Sequence, residues 1–355
     1  MNPTRAASVS IDLAALQHNF QRVKAIRPNS AIMPVIKANA YGHGMVQVAR
    51  ALSQAEAFAV AQLDEALYLR AQGIQQPVTV FQGFANAQQL EQMIELRLRP
   101  AISQLWQLDL LAGIQASSPL DVWLKLDTGM GRLGIQPHQL AACAQQLSRL
   151  SGVREWGLMM HFANADQPEH PANQQQIQCF QALLRQLPGR PISVSSSAAI
   201  MADLYPSEDW LRPGIMLYGA SPLQHLSAAE LDLRPVMSLQ ASLIAINQLA
   251  TGHGVGYGGG WVCPEAMPVG IVNIGYGDGY PRHAPSGTPV AVNGQLTQLI
   301  GRVSMDSIAI DLRGIDASCG DRVELWGSTV PVDEVAARAE TIAYELLCNA
   351  GRLIS

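Results

Sequence analysis

Hydrophobic and polar positions alternate in two different rhythms along this chain. Val9, Ile11 and Leu13 are spaced like one face of a strand. Asp12 stands where a helix N-cap belongs, ahead of Leu13, Leu16, Phe20 and Val23 near helical spacing, and this predicts a helix over 13–25. An apolar run at 32–36 follows, and the same succession then repeats. Helical patterns near 45–52, 63–72, 88–97, 104–112, 137–150 and 174–187 are separated by apolar runs at 57–61, 78–81, 101–102, 122–126, 158–160 and 192–195. A last apolar piece, 214–218, comes after Arg212 and Pro213. Strand–helix units at this density imply a parallel sheet, and about eight of them imply a (β/α)8 barrel, with an open doubly wound sheet as the second choice.

Near Pro222 the rhythm changes. Strand-like runs at 242–246, 268–274, 289–292, 296–300, 307–311 and 322–326 are divided by Gly and Pro, and helical pattern returns only at 332–339 and 342–347. The expected organisation is a barrel over 1–228 and a mainly antiparallel β domain over 229–355, with the extreme N-terminal strand a candidate to pair with the second domain. No low-complexity linker divides them, so the two are expected to pack together.

Composition narrows the function classes. The chain has 355 residues, 48% hydrophobic and 14% charged, enough apolar material for a large core. A formal net charge of −5 with mixed signs leaves no basic stripe for nucleic acid. No stretch approaches a membrane span, and the opening residues from Met1 to Arg5 lead into no apolar signal region. The five cysteines, Cys143, Cys179, Cys263, Cys319 and Cys348, are scattered and lack CxxC spacing. They read as reduced, buried thiols of a cytoplasmic protein rather than a disulfide or zinc framework.

The run 32–36 ends in Lys37, and Ala38, Asn39, Ala40, Tyr41, Gly42, His43 and Gly44 follow. A lysine at a barrel strand's exit has one apolar wall and one wet end, which favours a neutral, nucleophilic amine; the alternative is a lysine that merely snorkels. A second strand end, 122–126, is followed by Asp127, Thr128, Gly129, Met130, Gly131 and Arg132. Arg132 can take a carboxylate through two parallel hydrogen bonds, which suits an amino-acid substrate. His161 closes another apolar run, where a satisfied core histidine is the plainer reading. Ser195, Ser196 and Ser197 precede a helical pattern, so they could cap it or bind phosphate. Arg212, Pro213, Gly214 and Ile215 fall near the last barrel strand, where this fold commonly builds a phosphate site. In the second domain Tyr257 lies among glycines, and Tyr276 and Met305 lie in glycine-bearing strings that could otherwise be ordinary turns.

Together and in order, from Ile11 to Glu345, these strings resemble the alanine racemases. The resemblance implies pyridoxal 5'-phosphate carried as a Schiff base on Lys37, with Tyr41 in the cofactor pocket. It implies that Ser197, the amides of Gly214 and Ile215, and Tyr344 hold the phosphate, and that Arg212 faces the pyridine nitrogen. Arg132 would touch the substrate carboxylate and the cofactor's phenolic oxygen. Lys125 matches a lysine that many members carry as a carbamate bonded to that arginine; an ion pair with Asp127 is the alternative. His161 would link Arg212 to Tyr257, which enters the active site from the partner subunit as the second acid–base group. Tyr276 would narrow the substrate entrance and Met305 would offer a backbone amide to the carboxylate. Ser196 departs from the family, which usually has Asn there.

The implied chemistry is internally consistent. Inverting a stereocentre needs a base on one face and an acid on the other, so Lys37 would act on D-alanine and Tyr257 on L-alanine. An arginine cannot take up a proton from the ring nitrogen or readily give one up, so the ring stays a weak electron sink and transamination is discouraged. The tyrosine must lose its proton well below an ordinary value near 10, and the chain Tyr257–His161–Arg212 offers a cause. The expected protein is a homodimer with two composite sites, supplying D-alanine to peptidoglycan or degrading it. A broader amino-acid racemase is the nearest alternative. A decarboxylase of the same fold type would need an acidic residue at the position of Arg212 and a Cys-Asp pair near Met305 and Asp306. A non-catalytic cofactor carrier would be a barrel alone.

Overall fold

The computed structural model describes residues 7–113 and 119–353; the opening stretch from Met1 to Arg5 lies outside them. Strand β1 (Ser8–Ile11) leads into the helix Leu13–Ile26. That helix begins where Asp12 accepts hydrogen bonds from the Ala14 and Ala15 amides at 2.8 and 3.0 Å, satisfying donors that have no partner within the helix.

Eight parallel strands follow: β2 (Ala31–Ile32), β3 (Phe58–Val60), β4 (Val78–Val80), β5 (Arg99–Ile102), β6 (Leu120–Lys125), β7 (Val153–Met159), β8 (Ile192–Ser193) and β9 (Trp210–Leu211). β3 to β8 pair in chain order, and β9 pairs with β2. The two remaining seams close through parallel bridges, Val35 with Ala59 and Ser196 with Arg212. The ring is complete, so the chain forms a (β/α)8 barrel and the open-sheet alternative falls.

Two local expectations need correction. Of the cysteines expected to be buried, Cys143 and Cys263 are, Cys179 and Cys348 are partly covered, and Cys319 is exposed. The apolar piece at 214–218 is not a strand: the eighth strand is Trp210–Leu211, ahead of it, and Ile215–Tyr218 is a turn of 3-10 helix. All four of its residues are buried, so its apolarity reflects burial beneath the barrel mouth, not a place in the ladder. Helix Pro171–Leu184 also starts earlier than its hydrophobic period suggests, because Pro171 suits a first helical position and His170 caps the Ala172 amide at 3.2 Å.

The second half carries β10 (Met237–Leu249), β11 (Gly254–Val255), β12 (Trp261–Val262), β13 (Met267–Val272), β14 (Pro289–Val292), β15 (Gln295–Ile300), β16 (Ile308–Asp311) and β17 (Arg322–Trp326). Its main sheet runs β1-β10-β13-β16-β15-β14-β17, antiparallel throughout, and β17 returns to pair with β10. The first seven residues of β10 alternate buried and half-buried, as a strand with one covered face must. β1 lies antiparallel on β10, with Ser8 opposite Gln240 and Ile11 opposite Met237, so the extreme N-terminal strand belongs to the second sheet.

One continuous core spans both halves, with Phe20, Ile36 and Tyr218 in the same cluster as Leu239, Trp326 and Leu347. The helix Ala343–Ala350 fastens them by burying Leu346, Leu347 and Ala350. Each large apolar side chain so buried contributes roughly 1.5–3 kcal/mol.

Candidate active site

The C-terminal ends of the barrel strands open on a cavity of about 430 Å³. Its wall brings together Lys37, Tyr41, Lys125, Arg132, His161, Ser197, Arg212, Gly214, Ile215 and Tyr344, ten of the residues expected from the sequence.

Lys37 ends the first barrel strand region, and the chain then does something uncommon. Ala38, Asn39, Ala40 and Tyr41 all have left-handed backbone angles, with φ of 53°, 52°, 56° and 52°. For residues other than glycine each such step costs about 1–2 kcal/mol, so the turn must be held from outside. Ala40 N–H donates to Ile36 O at 2.8 Å, Gly44 N–H to Asn39 O at 3.0 Å, and the Asn39 side chain accepts from Met45 N–H at 2.8 Å. Ala38 N–H donates to Glu65 Oε1 at 2.6 Å. Gly42 admits the C-terminal helix: a Cβ there would lie 2.2 Å from Leu347 O, and its φ of 81° already favours glycine.

Among the described residues four cations, Lys37, Lys125, Arg132 and Arg212, line the cavity, and no Asp or Glu does. Burial lowers the Lys37 pKa, the Arg132 charge lowers it further, and Glu65 opposes both. Lys125 falls to about 8, through burial first and then through Arg212, Arg132 and Lys37. Asp127 forms no ion pair with Lys125 among the described residues. Its Oδ1 accepts instead from the amides of Gly129, Met130 and Gly131 at 3.0, 3.0 and 3.1 Å, which shapes the loop that carries Arg132.

Arg212 is buried, and burial lowers its pKa to about 10. Its Nη1 donates to Ser193 Oγ at 2.6 Å, and its Nη2 to Met160 O at 2.6 Å and Val194 O at 3.1 Å. Glu208 is the carboxylate that weighs on it, but Glu208 Oε2 already accepts the Val194 and Ser195 amides at 2.6 and 2.8 Å. Among the described residues no carboxylate forms an ion pair with Arg212. Arg212 Nη2 also meets His161 Nδ1 at 3.4 Å. Because a guanidinium only donates, this contact makes Nδ1 the acceptor and puts the imidazole proton on Nε2. Burial, then Arg212 and the other three cations, keep His161 neutral, with its pKa well below the ordinary value.

At the cavity's other end, Ser197 Oγ accepts from the amides of Gly214 at 2.8 Å and Met216 at 3.3 Å. With both acceptor positions engaged, the hydroxyl proton is what Ser197 has left to give. Gly214 is small because Tyr41 is close: a Cβ would stand 2.6 Å from the Tyr41 hydroxyl. Tyr41 packs on Tyr218 and Tyr344, with ring centroids 4.8 and 5.8 Å apart. Burial pushes the Tyr41 pKa up and raises Tyr344 to about 12, so both phenols stay protonated as donors. A donor-rich, carboxylate-free pocket of this kind fits a phosphate-bearing anion together with a second carboxylate.

Three expected residues are elsewhere. Tyr257, Tyr276 and Met305 are 69%, 40% and 54% exposed on the second domain, and none lines the cavity of its own chain. Their loops nonetheless adjoin one another. Tyr276 N–H donates to Ser304 O at 3.1 Å, Gly277 N–H to Met305 O at 2.9 Å, and Gly256 and Gly258, either side of Tyr257, face Arg302. Sequence reasoning missed Ala61, Phe81, Gln82, Leu133, Met159 and Met160, which also line the cavity. All but Leu133, which follows Arg132, carried the one signal of position, within or just past the ends of apolar runs.

Comparison with known proteins adds an independent line. The family model for the alanine racemase N-terminal domain matches residues 11–222, and that for the C-terminal domain matches 236–355. The alanine racemase of Nitrosococcus oceani is 49% identical over 341 residues, covering 96% of this chain and 95% of the relative. That of Coxiella burnetii is 48% identical, covering 97% and 96%. Among solved structures, the biosynthetic alanine racemase from Pseudomonas aeruginosa superposes with a TM-score of 0.94 at 44% identity, covering 98% of this chain and 97% of that one. The Acinetobacter baumannii alanine racemase superposes at 0.91 and 41%, with coverage of 98% and 97%.

Proposed function

Because the chain belongs to the alanine racemases, a family of pyridoxal-phosphate-dependent isomerases, we propose that it interconverts L- and D-alanine by a two-base mechanism. The observation that supports this reading best is the cavity wall itself, with four cations and no carboxylate. The cofactor's phosphate and phenolate and the substrate's carboxylate would find their counter-charges on that wall. The division between barrel and second domain is placed at 228/229.

When bound, pyridoxal 5'-phosphate supplies the electron withdrawal that makes an amino acid's α-hydrogen acidic. The protein's own groups would do the rest. Ser197, the Gly214 and Ile215 amides, Tyr41 and Tyr344 would hold the phosphate; Lys37 Nζ would hold the aldehyde carbon until a substrate amine displaces it. Arg212 would face the pyridine nitrogen and, as a group with no proton to lose near neutrality, would leave that nitrogen unprotonated. Arg132 fixes the substrate carboxylate, and a carbamate on Lys125 would hold Arg132 in place; an amine with a pKa of about 8 has the free lone pair that reaction with carbon dioxide needs. Lys37 Nζ, free as an amine once the substrate has displaced it, would exchange the α-proton on one face.

On the other face the group is Tyr257 of a second copy, with Tyr276 and Met305 shaping the entrance, which makes the protein a homodimer with composite sites. The His161 Nε2 proton, free to donate because Nδ1 accepts from Arg212, would stabilise a phenolate on Tyr257. Location in the cytoplasm and D-alanine supply for peptidoglycan follow as the favoured setting, since the Pseudomonas aeruginosa relative is described as biosynthetic. Incubation of the purified protein with each L-amino acid in D2O tests the reading. Deuterium at Cα and loss of chirality are expected with alanine, and retention of both hydrogen and chirality would exclude racemase activity.

A further inference from the structure

Lys37 precedes four left-handed residues, so its direction depends on what holds the next amide. The backbone ladder stops at Ile36, whose N–H donates to Ala59 O at 2.9 Å. The Ala38 N–H is taken instead by Glu65 Oε1 at 2.6 Å, while Glu65 Oε2 accepts the Ala61 and Gln62 amides at 2.8 and 3.0 Å. Ala61 and Gln62 follow β3, and Glu65 sits in the first turn of helix Leu63–Ala71. One carboxylate thus ties the exit of the Lys37 strand to the exit of its barrel neighbour. The groups that bear on Lys37 from the surrounding elements are Arg132 after β6, Lys125 at the end of β6, His161 after β7, Cys348 on the C-terminal helix, and Glu65. Glu65 is the carboxylate in that set.

We propose that Glu65 is a positioning residue for Lys37: by capturing the Ala38 amide it sets the angle at which Lys37 leaves the barrel, and its charge offsets the cations around the amine. The proposal rests on the reading of Lys37 as the cofactor-bearing, proton-transferring lysine. The chemistry of the carboxylate makes it specific. Two oxygens accept three N–H groups here, whereas glutamine has one carbonyl oxygen and would turn its NH2 toward amide donors. Aspartate keeps the charge but is a methylene shorter, so it cannot span Ala38 and the β3 exit together.

Glu65→Gln and Glu65→Asp should therefore separate geometry from charge. In both, kcat should fall by about tenfold to a hundredfold, because small misplacements of a reacting group cost that much, while KM changes by less than about threefold. In the cofactor-free full-length protein, competitive acetylation across pH reads the Lys37 amine directly. Its midpoint should move to lower pH in Glu65→Gln, where the stabilising negative charge is gone, and stay near wild type in Glu65→Asp. Wild-type kcat and midpoint in Glu65→Gln, with only a lower Tm, would reduce Glu65 to a helix cap and overturn the proposal. Should neither variant fold, amide hydrogen exchange in the wild-type protein decides. Ala38 has no backbone acceptor, so slow exchange there supports the Glu65 bond and exchange at the rate of a free amide refutes it. Borohydride trapping of the cofactor on a lysine other than Lys37 would instead sink the underlying reading and leave the Glu65 geometry untouched.

Discussion

The barrel mouth and the exposed rim of the second domain carry the two halves of the expected chemistry in opposite ways. In the mouth, Arg212 is buried and donates four hydrogen bonds, and Ser197 receives two amides. On the rim, Tyr257 is 69% exposed, among glycines. Buried polar groups must find partners within their own chain, so the mouth is assembled before any ligand arrives. A solvated tyrosine carries no such obligation and remains free to serve a surface that is not its own. The contrast supports the proposed division of labour, in which a single chain would complete the cofactor's half of the site and present the second base outward.

The largest effect should come from the mouth. Lys37→Ala should cost roughly 10³- to 10⁴-fold in racemisation, the upper range for a positioned acid–base group, and borohydride should no longer fix a pyridoxyl label to the peptide containing position 37. Tyr257→Ala should be similarly inactive yet keep that label on Lys37. Mixing the two dead homodimers after dissociation then probes the rim. If Tyr257 serves the other subunit, half of the dimers become mixed and half of their sites are intact, so about a quarter of all sites recover. If Tyr257 works within its own chain, every site keeps a lesion and no activity returns.

The same contrast explains what could be read from the sequence. The barrel was legible because its strands are short apolar runs alternating with helices, and buried elements advertise themselves by periodicity. The piece at 214–218 misled because a 3-10 turn buried on all sides is as apolar as a strand. Lys37, Arg132 and Arg212 stood out because each lies at or just past an apolar run, within strings that together resemble the alanine racemases, although each alone would read as an ordinary surface or strand-end residue. Glu65 did not: in the sequence it is an ordinary first-turn acid of a helix, and its bond to Ala38 spans 27 positions. Ala61, Phe81 and Met160 were lost for the opposite reason, since apolar residues that line a cavity look like those that fill a core.

Arg212→Glu sharpens the comparison inside the mouth. A carboxylate at that position would hold a proton on the pyridine nitrogen, and racemisation should slow by about 100-fold, the scale of one preorganised electrostatic contact, while transamination gains relative to turnover. The Tm serves as control, because the new carboxylate would lie near buried Glu208 without the donors Arg212 gave to Ser193 and Met160. An unchanged ratio of transamination to racemisation in a folded variant would remove Arg212 from its assigned role.

Lys125 gives the mouth a pH signature of its own. Its pKa is about 8 in the folded protein against 10.5 ordinarily. Between those values the unfolded chain binds more protons at this residue, so its contribution to stability rises with pH and is least below 8. Denaturant unfolding in carbon dioxide-free buffer, at fixed protein concentration, should show Lys125→Met more stable than wild type near pH 7. The advantage should shrink by up to about 3 kcal/mol as pH passes from 8 toward 10.5. A difference that stays constant across this window would mean that Lys125 is not held as a depressed, buried amine.

The smallest effect is expected at Ser197. Its Oγ accepts from the Gly214 and Met216 amides, and only its proton remains for the phosphate. Ser197→Ala removes that donor, a charge-assisted hydrogen bond worth about 1.5–3 kcal/mol, and orphans two amides. Gly214 lines the cavity, however, so its amide can turn wholly to the phosphate and the bound anion can accept part of what Ser197 released. The two consequences oppose each other, and the net loss should be about tenfold in cofactor affinity, near the lower end of that range. With cofactor in excess, kcat should be nearly that of wild type, since Ser197 touches neither Lys37 nor the substrate's α-carbon. Titration of the cofactor-free variant, followed by absorbance, measures the affinity. A loss far beyond a hundredfold would show that the amides cannot turn to the phosphate and that the hydroxyl itself organises the Gly214 turn; no loss would place the phosphate elsewhere.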